Sequence, residues 1–275
     1  MAELPSAAFD ADTLAKTLFT LRSAGRAAPT ASFPLPNSLA QAIAAQSALA
    51  RLEGSGKEAW KVAMTPDKQP VIAPLHPLRK SITDSRLPFL PGMKFEVEIA
   101  VRLGCDLPPQ AQTYARSDVL DAISEARIGC ELLATAVQES GKLSFPLYLA
   151  DRIGNRGYIL GPEVPKTLVD KINGLPLKVT QADALLYDGP ARHPAGDTLD
   201  WLVAYANDGT RPNGSLTTGQ IITTGALSGA MPLAGPGKID VLIDGKYAMG
   251  VILVSWESGE AARACGKMQE AAAAV

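Results

Sequence analysis

The sequence predicts an α+β protein in which helices come first and strands follow. Apolar residues recur at helical spacing between Asp12 and Leu52, and the period changes to two at Lys94. Near the other end, Asp244-Gly245 separates two strand-like runs.

Leu14, Leu18 and Leu21 lie at helical spacing after Asp12, a candidate N-cap, and Gly25 can end that helix. Ser38 followed by Gln41 forms a capping-box pattern that opens a second helix running to Arg51 or Leu52, before Gly54. These two helices are expected to pack as a pair. Thr65–Pro91 is proline-rich with few periodic signals, and reads as loop or as short strands around a site. From Lys94, the residues Phe95, Val97, Ile99, Val101 and Leu103 alternate with Lys94, Glu96, Glu98, Ala100 and Arg102. That alternation is a strand with one apolar face, so Glu96 and Glu98 point the same way. Asp118 to about Ala126 reads as a short helix with Val119, Ala122, Ile123 and Ala126 on one side, followed by a strand over Ile128–Val137. Leu199, Leu202, Val203 and Ala206 mark a later helix that starts near Asp197 and stops near Gly209. Ile239–Ile243 and Tyr247–Val254 flank Asp244-Gly245, the dipeptide favoured by a type I′ hairpin. The alanine-rich tail Glu257–Val275 is a terminal helix or frays. No linker separates independent domains. The expected division is a helical N-terminal region, residues 1–80, and a strand-rich core, residues 81–275, within one compact unit.

Of 275 residues, 47% are hydrophobic and 20% charged, a composition that folds. The formal net charge is -2 with Lys and Arg scattered, which gives no footprint for nucleic acid or an anionic membrane and points to a small-molecule partner. No apolar stretch reaches transmembrane length, and Met1–Pro5 lacks a basic region before an apolar run, so a cytoplasmic location is expected. Cys105, Cys130 and Cys265 are too widely spaced for a disulfide framework or a zinc site and read as reduced thiols.

The glycine-rich dinucleotide and phosphate loops, the serine-hydrolase elbow and the zincin helix motif are all absent, and the only histidines are His76 and His193. Carboxylate chemistry remains. Two glutamates on one strand face repel unless a cation or solvent screens them, although a solvated face is the ordinary reading of Glu-x-Glu. Glu131 lies in Gly129-Cys130-Glu131-Leu132-Leu133-Ala134 and is either a surface strand-end residue or a buried carboxylate that needs a partner. Three carboxylates on one Mg²⁺ would leave octahedral positions for water or a 2-oxo acid.

At this point the residues resemble a known family. Ala59-Trp60-Lys61-Val62-Ala63-Met64-Thr65, then Glu96 with Val97-Glu98-Ile99-Ala100-Val101-Arg102-Leu103-Gly104-Cys105-Asp106-Leu107-Pro108, then Cys130-Glu131-Leu132, are similar to the fumarylacetoacetate hydrolase superfamily. The 2-oxopent-4-enoate hydratase and 4-oxalocrotonate decarboxylase branch is the nearer likeness. Leu149-Ala150-Asp151 leading to Gly157-Tyr158-Ile159-Leu160-Gly161, His193-Pro194 leading to Trp201-Leu202-Val203, and Gly219 to Leu227 continue it, so the likeness spans roughly residues 12 to 254.

The resemblance implies a mixed β-roll core under an N-terminal helical cap, Mg²⁺ or Mn²⁺ on Glu96, Glu98 and Glu131, and a homo-oligomer. It makes Lys61 a charge stabiliser or proton donor, gives Asp151 the orienting of a water or a neighbouring group, and lets Thr224 and Gly225 line the site by hydroxyl and backbone N–H. His193 reads as a loop or capping residue. Two departures stand out. The stretch from Asp151 to Gly157 differs from the shorter serine-bearing loop of the branch. Where the branch carries Pro-Asp-aromatic-Gly with an aspartate that handles protons, this chain reads Ala73-Pro74-Leu75-His76-Pro77, leaving His76 as the candidate proton carrier. The implied activity is a lyase on a small 2-hydroxydienoate or 2-oxo acid, by hydration or decarboxylation. An acylpyruvate-type C–C hydrolase would need a histidine-glutamate pair that this chain lacks, and a non-catalytic relative would have little use for an intact ligand set.

Overall fold

The computed structural model describes residues 9–55, 57–80, 86–138 and 143–256. In chain order the elements are α1 (Ala11–Ser23), β1 (Ala28–Pro29), α2 (Leu39–Leu52), β2 (Ala59–Met64), β3 (Pro70–Pro74), β4 (Leu78–Lys80), β5 (Arg86–Phe89), β6 (Lys94–Leu103), α3 (Arg116–Asp121), β7 (Ile123–Leu133) and β8 (Val137–Gln138). They continue as α4 (Phe145–Ala150), β9 (Asn155–Val164), α5 (Leu168–Lys171), β10 (Pro176–Gln181), β11 (Ala184–Pro190), α6 (Asp200–Ala206), β12 (Ile221–Ala226), β13 (Met231–Pro232), β14 (Gly237–Ile243) and β15 (Tyr247–Ser255). The class is α+β. The tail beyond Trp256, with Cys265, lies outside the described residues; Cys105 is exposed and Cys130 buried, both as free thiols.

The chain divides into two compact units, and the boundaries differ from a cut at residue 80. Among the described residues, one holds those up to Ser55 together with Thr135–Gly154; the other holds Gly56–Ala134 and those of Asn155–Glu257. The second boundary follows from strand pairing: β2 runs parallel to β12 with Lys61 opposite Thr223, which ties residues 59–64 to the sheet of the larger unit.

In the smaller unit α1 and α2 pack together, burying Leu14, Ala15, Leu18, Ala42, Ala45 and Leu49. Asp10, not Asp12, caps α1, because its side chain accepts from Asp12 N at 3.0 Å. Ser38 caps α2 by accepting from Gln41 N at 3.3 Å.

The larger unit contains an eight-stranded sheet in the order β3-β2-β12-β6-β7-β9-β4, with β13 paired to β6, and a five-stranded sheet in the order β11-β10-β14-β15-β5. Both are mixed: β2/β12, β4/β9 and β15/β5 are parallel and the other pairs antiparallel. Phe95, Val97, Ile99, Val101 and Leu103 of β6 join the main core with Ile128, Cys130 and Leu132 of β7 and Val241, Met249 and Val251 of the other sheet. The opposite face is also covered, by a small apolar cluster of Ala59, Leu75, Ala100, Tyr158, Leu160 and Ile221. The expected helix over Asp118–Ala126 is shorter than its periodicity suggested: α3 stops at Asp121, and Ile123 already pairs with Leu103. Pairing with β6 overrides the local helical pattern and also ends the strand at Leu133 rather than Val137. The proline-rich stretch yields the short strands β3, β4 and β5. The C-terminal hairpin is as expected: Asp244 and Gly245 have φ of 56° and 61°, and Lys246 N donates to Ile243 O at 3.0 Å.

Candidate metal centre

The antiparallel register of β6 and β7 sets Glu96 opposite Glu131 and Glu98 opposite Gly129. Directly opposite residues share a face, and so do residues two apart on one strand, so the three carboxylates project to one side of the sheet. Each offers an oxygen within 4.8 Å of the others. Glu131 is 0% and Glu98 1% exposed, while Glu96 is half-buried.

Each buried carboxylate has a partner that holds it. Lys61 Nζ donates to Glu131 Oε1 at 2.8 Å and Oε2 at 2.9 Å. Asn155 Nδ2 donates to Glu131 Oε1 at 2.8 Å, and its Oδ1 accepts from His76 N at 2.9 Å, which fixes the amide orientation. Thr223 Oγ1 donates to Glu98 Oε2 at 2.6 Å. Three carboxylates against one ammonium leave a formal excess of two negative charges. Burial, and then the charge of Glu131, raises the Glu96 carboxyl to about 7. Burial, then Glu131 and Glu96, holds the Glu98 carboxyl well above the usual carboxylate range. Such a group of buried, mutually repelling acids is relieved by a divalent cation, and an all-oxygen donor set suits a hard one such as Mg²⁺, Mn²⁺ or Ca²⁺. The residues therefore fit the implied metal.

The other expected site residues separate into two groups. Lys61 lies on Glu131. His76 is half-buried and is joined to Glu131 through its backbone N–H and Asn155. Asp151 belongs to the smaller unit, where its carboxylate is engaged by Arg22 Nη1 at 2.5 Å, Thr135 Oγ1 at 2.8 Å and Ala136 N at 2.7 Å. Arg22 also meets Glu53 at 3.1 Å, so Asp151 is part of a buried charge network between helices. Thr224 does not supply the hydroxyl expected of it. Neighbouring strand residues face opposite ways, and Thr223 reaches the carboxylates instead. The carbonyl of Thr224 accepts from His193 Nε2 at 2.9 Å, with Ala195 N donating to Nδ1 at 3.2 Å, so His193 is a neutral ring bracing β12. Gly225 has φ of 139°, and a Cβ there would stand 3.0 Å from His193 Nε2 and from Trp201 Cζ3.

Sequence reasoning missed Asn155, Thr223 and Tyr158. Tyr158 is opposite Glu131 on β9 and its phenol lies over Gly129, where a Cβ would come within 1.7 Å of the hydroxyl. Gly129 is thus required by close approach. The only local signal was the unusual stretch from Asp151 to Gly157, which supplies Asn155.

No family model matches the chain. A segment of 152 residues is 26% identical to 2-keto-4-pentenoate hydratase 1 of Dechloromonas aromatica strain RCB, covering 55% of this chain and 57% of that protein. The match thus spans little more than half the length of that relative. The structure is similar to that of 4-oxalocrotonate decarboxylase from Pseudomonas putida G7 complexed with magnesium and adipate, with a TM-score of 0.71, 18% identity, and coverage of 89% of this chain and 97% of that one. A putative fumarylacetoacetate hydrolase family protein from Yersinia pestis CO92 gives a TM-score of 0.50 at 14% identity, covering 71% of this chain and 91% of that one. The chain has the fold of the fumarylacetoacetate hydrolase superfamily, and over a segment of 152 residues its sequence is similar to that of a 2-keto-4-pentenoate hydratase.

Proposed function

We propose that the protein is a metal-dependent lyase acting on a small 2-hydroxydienoate or 2-oxo acid, with Mg²⁺ or Mn²⁺ held by Glu96, Glu98 and Glu131. The observation that carries this reading is the meeting of three carboxylate oxygens within 4.8 Å on a buried sheet face, with an ammonium on one of them. When bound, a cation there supplies Lewis acidity to the carboxylate and keto oxygens of the substrate and stabilises the charge that develops as a C3 proton moves. Lys61 holds Glu131 through both carboxylate oxygens and stands ready to stabilise negative charge or deliver a proton. Asn155 and Thr223 fix the directions of Glu131 and Glu98, so that ligand geometry does not depend on the substrate. The homo-oligomer and cytoplasmic location expected from the sequence belong to the same proposal; no helix among the described residues is long and apolar enough to cross a membrane.

Leu75 is buried in the apolar cluster beside Ala100 and Tyr158, so the position where the branch carries an aspartate is part of the core here. Ketonisation of 2-hydroxypenta-2,4-dienoate should therefore proceed, while water addition lacks its usual carboxylate. The test is calorimetric titration of chelator-stripped protein with Mg²⁺ and Mn²⁺, with Glu131→Gln as control, followed by absorbance assay of the dienoate. Stoichiometric binding lost in the variant, and cation-dependent ketonisation, are expected. No binding, or binding indifferent to Glu131→Gln, defeats the reading.

A further inference from the structure

Tyr158 is wholly buried, in a small cluster whose other members are apolar. Its hydroxyl lies over Gly129, the residue opposite Glu98 in the β6/β7 register, on the side of Thr223 and without a well-formed hydrogen bond. A buried phenol without a good partner costs free energy, and an all-apolar Phe would fill the same space at no such cost. The room for this hydroxyl is also specific, because it occupies the position that any side chain at residue 129 would need. Thr223 donates its single proton to Glu98 Oε2 and retains lone pairs on Oγ1. A phenol donor beside that oxygen completes a chain from Tyr158 through Thr223 to Glu98.

We propose that Tyr158 is a positioning residue for the carboxylate site: its O–H donates to Thr223 Oγ1, which locks Thr223 onto Glu98 and holds Glu98 in its ligating orientation when a divalent cation binds. This rests on the metal-site reading above. A Thr hydroxyl can rotate among acceptors, whereas one whose oxygen already accepts from a buried phenol has its proton directed at the carboxylate. Partners of this kind tune affinity through ligand orientation, and their loss typically weakens binding about tenfold or more.

The experiment is Mn²⁺ titration by calorimetry of wild type, Tyr158→Phe, Thr223→Val, Thr223→Ser and the Tyr158→Phe/Thr223→Val double variant, with the Mn²⁺ electron paramagnetic resonance spectrum as a second readout. Tyr158→Phe and Thr223→Val are each expected to weaken Mn²⁺ binding about tenfold and to alter the spectrum. Thr223→Ser should retain wild-type affinity, and the double variant should be no weaker than Thr223→Val, since Tyr158 acts only through that hydroxyl. Tyr158→Phe with unchanged Kd and spectrum, whatever its melting temperature, overturns the proposal, as does an additive double variant. Should Tyr158→Phe fail to fold, Thr223→Val against Thr223→Ser decides: equal affinities remove the relay. Wild-type protein that binds no Mn²⁺ removes the site reading itself, and the proposal with it, an outcome distinct from intact binding indifferent to Tyr158.

Discussion

Replacing Lys61 by Met removes one partner of a buried ion pair and keeps the length of the stem. The Lys61 side chain is 9% exposed and that of Glu131 0% exposed, and the ammonium reaches both carboxylate oxygens at 2.8 and 2.9 Å. Its loss leaves Glu131 beside Glu96 and Glu98, with Asn155 still donating to Oε1. Breaking a buried pair from one side costs about 3–5 kcal/mol. For a chain of this length each kcal/mol moves the melting temperature by roughly 2 °C, so the cation-free variant should melt about 6–10 °C below wild type. A divalent cation supplies the missing positive charge and binds only the folded protein, stabilising it by about 2.7 kcal/mol at a hundred times its Kd. The deficit should therefore shrink in saturating Mn²⁺, while ketonisation stays impaired. Differential scanning calorimetry at pH 8, with and without Mn²⁺, checks this. A cation-free Lys61→Met protein melting within about 2 °C of wild type, or a deficit that Mn²⁺ leaves untouched, would refute the electrostatic argument.

Four further outcomes are expected. Burial and the charge of Glu131 raise the Glu96 carboxyl from 4.5 to about 7, so its contribution to cation-free stability is present below 4.5 and lost as pH rises through about 7; cation binding needs the ionised form, so the Mn²⁺-induced rise in melting temperature should grow between pH 5.5 and 8, and a flat profile counts against it. Asp151→Asn weakens the buried pair with Arg22 and should cost about 3 kcal/mol, seen as a lower urea midpoint; a loss under about 0.5 kcal/mol would show the network to be idle. Leu75→Asp places a carboxylate in the apolar cluster and should cost at least the ~2–5 kcal/mol of a buried leucine truncation. In the same assays wild type should ketonise the dienoate and hydrate it slowly, with His76→Ala lowering any hydration, and fast hydration indifferent to His76 would contradict the proton argument.

The sequence by itself determined the local features that physics writes into short windows. Alternation over Lys94–Leu103 placed Glu96 and Glu98 on one face, Ser38 marked the start of α2, and Asp244-Gly245 marked the hairpin. The ordered likeness along the chain also named Glu131 and Lys61 as companions of the pair. What only the tertiary structure decided were relations between distant residues. Glu131 meets Glu96 because β7 pairs with β6 in one register, and a slip of one residue would turn it to the other face. The same pairing ended α3 early, against a helical pattern through Ala126. On β12, local sequence could not say whether Thr223 or Thr224 faces the carboxylates, since both are threonine and only the register tells them apart. The partner of Asp151 could not be read locally either, because nothing in its own window mentions Arg22, more than a hundred positions away, whose buried guanidinium binds it. Side-chain periodicity is a property of a few neighbouring residues, whereas strand register and buried charge partners are set by which segments the whole chain brings together.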